Sequence, residues 1–246
     1  MTEAPKRRRV VCSLSHTIYE NLALENYLFN KLDSQEELLF LWKNTDAVVI
    51  GRFQDPELEC NLGALTRDGV PLARRQSGGG TVWHDLGNLC FTFMGPKAFF
   101  DRRKNLILIQ TALEQLGFPA ELNERHDILL HGKKISGSAF REKADRAFHH
   151  GTLLVASQLD KLHYYLKPEI EKSRSRHTRS VPSPVTQLSL WNPDITITEI
   201  ENKLKELFSP EPAERISAEQ VQTEADFADY LHFLQSRDWI YGPGAD

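Results

Sequence analysis

Residues 74–85 read RRQSGGGTVWHD: two arginines, a serine beyond a glutamine, three consecutive glycines, a β-branched pair, an aromatic and a His-Asp step. Consecutive glycines lose much backbone entropy on folding, but they permit φ > 0 and let another group approach the main chain. Adjacent amides in such a stretch can converge on an anion. A tight hairpin turn accounts for three glycines equally well. The neighbours point to a site, because the planar guanidinium suits carboxylate or phosphate. Strand alternation lets only one of Arg74 and Arg75 face the loop. Neither G-x-x-x-x-G-K-[ST] nor G-x-G-x-x-G occurs in the chain, so any phosphate is held by a different scaffold.

Working outward, residues 72–75 form a strand entering the loop and 89–94 one leaving it. Residues 10–14 suggest a first strand, and Thr17 with Glu20 a capping box opening a helix. Residues 38–42 and 47–50, joined by the turn-like Asn44-Thr45-Asp46, predict a hairpin. Residues 56–65 predict one short helix. Leu106, Ile109, Leu113 and Leu116 share a face of a helix over 102–116 that Gly117 ends. Residues 127–130 and 134–138 flank His131-Gly132-Lys133 in a second hairpin pattern. A strand over 147–155, a helix over 159–166 and helices near 197–208 and 223–236 complete the pattern. Residues 167–184, polar, basic and rich in Pro and Ser, read as a long loop. Short strands interleaved with helices give an α+β fold, a mixed β-sheet flanked by helices.

The chain has 246 residues, 40% apolar and 26% charged, enough for one sizeable core. A net charge of −4 disfavours general nucleic-acid binding. No apolar run approaches a membrane span, and the first residues carry no apolar secretory segment. The run Lys6-Arg7-Arg8-Arg9 is a solvated tail or a targeting remnant. Three widely spaced cysteines, Cys12, Cys60 and Cys90, fit a reducing compartment rather than a disulfide or zinc framework.

Two further clusters carry chemistry. In GKKISGSAFRE (132–142), Lys134 lies on a predicted strand beside the small run Ser136-Gly137-Ser138-Ala139. It is either a solvated edge lysine or the cation of a site in which a ligand lies along the strand. His149-His150-Gly151-Thr152 forms the other cluster. With His84, His126 and His131 it raises the question of a metal, but no recognised ligand spacing accompanies it.

RRQSGGGTVWHDLGN (74–88), KKISGSAFRE (133–142), HHGTLL (149–154) and LWKNTDAVVIGRFQDPELECN (41–61) resemble the lipoate–protein ligase A and lipoyltransferase family. The resemblance spans residues 15–242, between a tail with first strand at 1–14 and a tail at 243–246. It implies the class II synthetase-like catalytic domain shared with biotin protein ligases. It also implies attachment of lipoyl groups, through lipoyl-AMP, to one lysine of lipoyl domains. The acceptors would be 2-oxoacid dehydrogenase E2 subunits and the glycine cleavage H protein. Substrates would be lipoate and ATP with Mg2+, or preformed lipoyl-AMP. By resemblance Arg75, Ser77, Gly78, Gly79, Gly80, His84, Ser136 and Gly137 hold the lipoyl group. Trp83, Asp127, Lys134, Ser138, Ala139, Gly151, Thr152 and Ser180 meet the nucleotide. Lys134 is the catalytic cation and Asp127 the Mg2+ ligand.

Thioester-dependent octanoyltransferases place a nucleophilic cysteine after the motif lysine, whereas all three cysteines here precede Lys134. Cys90 reads as a small buried apolar residue. A non-catalytic lipoate-binding protein would be expected to lack Lys134 or Asp127, and both are present. Bacterial ligases carry a further C-terminal domain or an accessory subunit. We therefore expect that module to be absent beyond residue 242; the reading is an ATP-dependent lipoate–protein ligase, with transfer from preformed lipoyl-AMP, or activation through an accessory subunit, as the alternative. His126 stands where those ligases commonly have asparagine. A monomer in the cytoplasm or mitochondrial matrix, with no nucleic-acid or membrane partner, is the expected setting.

Overall fold

Residues 36–42, EELLFLW, hold an apolar residue at every position from Leu38 to Trp42, and a strand so composed needs cover on both faces. The computed structural model, which describes residues 7–166 and 180–242, supplies that cover. Strands β1 (Arg7–Ser13) and β2 (Glu36–Trp42) run parallel as neighbours within a larger sheet. A second sheet contains β3 (Ala47–Ile50), β4 (Leu72–Arg74) and β5 (Val82–His84) in the order β4-β3-β5. The larger sheet continues with β6 (Asn88–Pro96), β7 (Ala120–Leu122), β8 (Ile128–Leu130), β9 (Lys133–Glu142), β10 (Arg146–Leu154) and β11 (Glu214–Ile216). Its order is β11-β1-β2-β6-β10-β9-β8-β7, with β11-β1-β2 parallel and the remaining pairs antiparallel.

Nine α-helices lie among the described residues. These are α1 (Ile18–Lys31), α2 (Pro56–Glu59), α3 (Leu62–Asp68), α4 (Arg102–Gln115), α5 (Leu159–Tyr165), α6 (Ile197–Phe208), α7 (Ala218–Val221), α8 (Ala225–Gln235) and α9 (Arg237–Tyr241). Leu39 and Leu41 of β2 pack with Phe91 and Phe93 of β6 under α4 and α6. Leu38, Phe40 and Trp42 pack on the other face with α1 and α8. That split is the two-residue period of a strand buried on both sides. The small sheet closes a third core with α3, α5 and α9. No helix among the described residues is long and apolar enough to cross a membrane.

Several expectations hold. The helix over 102–116 forms as α4, capped by Asp101 at its start and followed by Gly117 at φ +87°. β8 and β9 make the expected hairpin, with His131 and Gly132 at positive φ in the turn. Others do not hold. The predicted hairpin of 38–42 with 47–50 is absent, because β2 and β3 lie in different sheets. Asn44 is not a solvated turn residue: it is fully buried, accepting from Asn21 Nδ2 at 2.7 Å and donating to His84 Nδ1 at 2.7 Å. The polar triplet is thus a crossover whose amide bonds replace a turn. Thr17, the residue at the N-cap, makes no side-chain cap; Ser15 Oγ instead accepts from Thr17 N and donates to Glu20. The single helix over 56–65 is two, α2 and α3, each capped by its own Asp55 or Asn61. Most of the 167–184 loop, including Lys172, Arg174, Arg176 and Arg179, lies outside the described residues.

Candidate active site

β4 ends at Arg74 and the chain continues through Arg75 into the glycine loop, and the two arginines point opposite ways. Arg74 donates to the carbonyls of Trp239 and Ile240 in α9 and to those of Gly51, Arg52 and Gln54. It is a structural clamp. Arg75 turns into the loop. Its Nη2 donates to Gly78 O and Gly80 O, both at 2.7 Å, its Nη1 to Val49 O at 3.2 Å, and its Nε to Ser77 Oγ at 3.0 Å. Burial pushes this guanidinium down to about 10, so it remains a cation at neutral pH. Gly79 sits at φ +89°, and its carbonyl lies so near Gly51 that a Cβ there would come within 2.2 Å of it. The loop is therefore wrapped around a cation, with its carbonyls facing Arg75.

The opposite wall comes from the β9–β10 hairpin, where Gly137 pairs with Thr152 and Ser138 with Gly151. Lys134 extends its ammonium over Gly137; a Cβ at that glycine would lie 2.8 Å from both Lys134 Cε and Nζ. Asp127 Oδ1 receives Lys134 Nζ at 2.7 Å, and Asn123 Nδ2 donates to Asp127 Oδ2 at 3.2 Å. The backbone of Lys134 is pinned as well: its N donates to Pro184 O, and Thr186 N donates to its carbonyl, both at 2.9 Å. Ser180 joins the two walls. Its Oγ accepts from Thr81 N and Gln54 Nε2, and its N donates to the Glu59 carboxylate.

Two cavities meet at Lys134. The first, about 150 Å³, is bounded by Leu22, Trp42, Val49 and Cys90 among others, and by Arg75, Gly80, His84 and Lys134 toward its polar parts. The second, about 280 Å³, lies between Glu59, Trp83, Ser136, His163, Pro182 and Lys134. Gly137, Thr152 and Ser180 border both. Ser138, Ala139 and Gly151, which the resemblance groups with the nucleotide, line the first cavity and not the second, whereas Ser136, grouped with the lipoyl group, lines the second. β9 runs from one cavity to the other, so position along the strand sorts these residues. Ser77, Gly78 and Gly79 stand behind the wall: Ser77 Oγ is 2.6 Å from His150 Nε2, and the Gly78 carbonyl is taken by Arg75. Trp83 is buried, stacked on Tyr165 at 5.1 Å, and donates to Asp85.

His84 and Asp85 do not act together. Asp85 accepts from Ser157, Gln158 and Gly87, whereas His84 faces Asn44 and Cys90. Burial pushes the Cys90 thiol well up and that of Cys60 to about 12, so neither is poised as a thiolate. No cluster of three or more His, Cys, Asp or Glu suited to a metal occurs among the described residues. The sequence reading missed Glu25, Thr92 and Asn123, and it named His150 only within the 149–152 cluster, without a role. Glu25 accepts from His150 Nδ1 at 2.8 Å and from Thr92 Oγ1 at 2.7 Å, extending the buried chain from Ser77 into α1. None of the three missed residues lies in a motif that the sequence singles out.

His84 and His149 are both pushed from the ordinary 6.5 down to about 3, chiefly by burial. The unfolded chain protonates them below 6.5, the folded chain only near 3. Stability is therefore complete above 6.5 and falls as pH drops from 6.5 toward 3, by about 1.4 kcal/mol per pH unit for each ring. Thermal melts should show a clearly lower Tm at pH 5 than at pH 7; equal values would contradict neutral burial of the two rings.

The family described as Lipoyl protein ligase A/B catalytic domain matches residues 17–209. Lipoate-protein ligase A of Psychrobacter cryohalolentis is 39% identical over 244 residues, covering 95% of this chain and 72% of that protein. The crystal structure of P. falciparum LipL1 in complex with lipoate superposes with a TM-score of 0.87 at 31% identity, over 98% of this chain and 75% of that one. A structure of a bipartite lipoate protein ligase and its E2 lipoyl domain from Thermoplasma acidophilum has the same fold, with a TM-score of 0.80 at 24% identity, over 98% of both chains.

Proposed function

This chain belongs to the lipoyl protein ligase A/B catalytic domain family, and from that premise we propose that it is a lipoate–protein ligase that joins lipoate to a lysine of a lipoyl domain through lipoyl-AMP. The observation that carries the reading is the meeting of two cavities at one ammonium, that of Lys134. The first has apolar walls suited to the lipoyl tail. The second, with polar backbone and Ser180 at its rim, suits the nucleotide. A mixed anhydride spanning both would place its carbonyl and phosphate at Lys134.

In the first step the lipoate carboxylate attacks the α-phosphorus of ATP and pyrophosphate leaves. In the second the acceptor amine attacks the acyl carbonyl, AMP leaves and the amine's proton passes to solvent. Lys134 Nζ stabilises the charge that develops on the carbonyl oxygen and the phosphate. Arg75 keeps the glycine loop shaped against the acyl group, and His84, neutral, offers a ring edge without a competing charge. Gly137 leaves room for the ammonium, and Thr152 and Ser180 border the junction. Mg2+ usually takes one or two carboxylates together with substrate phosphates. Asp127 supplies one carboxylate beside Lys134, so the residues present fit that mode; bound there, the ion would neutralise phosphate charge.

The acceptors would be E2 subunits and the glycine cleavage H protein, and residues 15–242 would form the catalytic domain. Three free cysteines fit a reducing compartment, cytoplasm or mitochondrial matrix. The test uses the purified chain with an apo lipoyl domain. One tube receives lipoate and MgATP, the other synthetic lipoyl-AMP. Lipoylated product in both supports a self-sufficient ligase. Product only in the second supports a transferase or a requirement for an accessory subunit. Product in neither counts against the proposal.

A further inference from the structure

The residue before Asp127 carries a conformation that most side chains avoid. His126 has φ +63°, in the left-handed region that asparagine, aspartate and histidine tolerate better than most. Its carbonyl is held from across the sheet, where Ser138 Oγ donates to His126 O at 2.9 Å. Ser138 Oγ also lies 2.8 Å from His149 Nε2. A hydroxyl has one proton, and Ser138 commits it to the carbonyl. His149 must then donate, so its Nε2 bears the hydrogen and its Nδ1 is bare. That Nδ1 is buried and has no partner.

A histidine is a costly choice for this slot. His149 is fully buried, stacked on Phe140 at 4.7 Å and on Phe93 at 6.0 Å, with Phe91 edge-on at 5.5 Å. A phenylalanine would continue that stack and leave no orphaned nitrogen. What histidine adds is a single N–H, aimed at the hydroxyl that fixes the His126 carbonyl. Asn123 clamps the same turn from within, its Oδ1 accepting from Asp127 N at 2.9 Å and its Nδ2 donating to the Asp127 carboxylate. Both clamps end at Asp127, whose other oxygen holds Lys134.

We propose that His149 is a positioning residue for the Asp127–Lys134 pair, acting through Ser138 and the carbonyl of His126. This rests on the reading that Lys134 serves acyl transfer. His149 touches no substrate; it sets the path of the turn that aims Asp127, and Asp127 aims the ammonium. The sequence feature that singled out His126, a histidine where related ligases commonly have asparagine, falls on the strained residue of the same turn.

The test compares the full-length chain with His149→Phe and His149→Gln, the latter restoring an N–H near the Nε2 position. Transfer from synthetic lipoyl-AMP to an apo lipoyl domain is measured beside hydrogen exchange of residues 123–127. His149→Phe should keep or raise Tm, lower kcat about 10- to 100-fold as expected for a small misplacement of a catalytic group, leave KM for lipoyl-AMP nearly unchanged and speed exchange in the turn. His149→Gln should recover most of both. In an Asp127→Asn background the same substitution should cost under about threefold, because residues acting in one chain are not additive. Wild-type kcat and exchange in His149→Phe, or its full cost in the Asp127→Asn background, would overturn the proposal. If wild type transfers nothing, the proposed function fails and the exchange comparison still decides the clamp.

Discussion

Replacing Lys134 with alanine is expected to lower the rate of transfer from lipoyl-AMP by about 10²–10³-fold, the scale set by removing one fixed donor from a developing oxyanion. The geometry makes the ammonium hard to replace. It is held at 2.7 Å by a buried carboxylate, its backbone is fixed on both sides by 184–186, and Gly137 keeps the space beneath it open. A water in the vacated space would carry no charge and no fixed orientation. The fold should survive. Lys134 keeps about a quarter of its side chain exposed, at 27%, and Asp127 retains its bonds to Asn123. A stability loss of about 1–2 kcal/mol is expected, from a buried carboxylate deprived of one partner while it keeps its bonds to Asn123. Mass spectrometry of the acceptor domain, with a thermal melt of the variant, separates the two effects. Turnover within a fewfold of wild type would remove Lys134 from the chemistry. Lys134→Arg is expected to recover little, because the larger planar fork cannot sit over Gly137 in the same way.

How far the sequence could be read depended on whether local pattern or tertiary packing decided each element. The α4 helix was legible because its apolar spacing, its Asp101 cap and its terminal Gly117 agree. The β8–β9 hairpin was legible because a His-Gly turn separates the apolar Ile128-Leu129-Leu130 from a second strand pattern that begins Lys133-Lys134-Ile135. The β2–β3 connection was not. Asn44-Thr45-Asp46 has turn composition, and nothing in the linear sequence says that the asparagine is buried between Asn21 and His84. Strand alternation separated Arg74 from Arg75, but assigning Arg74 to the carbonyls of α9 required contacts more than 160 residues apart. The motifs supplied many of the residues that line the two cavities, yet Glu25 and Thr92 escaped, since a buried glutamate in α1 looks like any helical glutamate until His150 is brought to it. Motif order also could not distribute Ser136, Ser138 and Ala139 between two cavities, which depends on where β9 crosses from one to the other.

Arg75→Met is expected to cost about 3–5 kcal/mol of stability and, in whatever fraction stays folded, most of the affinity for the acyl group. Arg75 is a buried cation whose close partners are neutral: the carbonyls of Val49, Gly78 and Gly80 and the hydroxyl of Ser77. Glu25 contributes only at longer range. Removing the guanidinium takes a donor from three carbonyls, with a desolvation penalty of about 1–3 kcal/mol for each one left unsatisfied that local relaxation only partly recovers. The loop cannot simply turn those carbonyls outward. Gly79 is wedged against Gly51, Arg52 N donates to Ser77 O, and Ser180 Oγ would lie 3.0 Å from a Cβ at Gly80. Arg75→Lys should recover less than half of the loss, because a single ammonium cannot reach the opposed acceptors that the fork spans. Urea denaturation of the three proteins, with calorimetric titration of lipoate into each, checks both parts. If Arg75→Met unfolds at the wild-type denaturant midpoint and binds lipoate unchanged, the glycine loop holds its shape without the cation, and the place given to Arg75 in the acyl site is wrong.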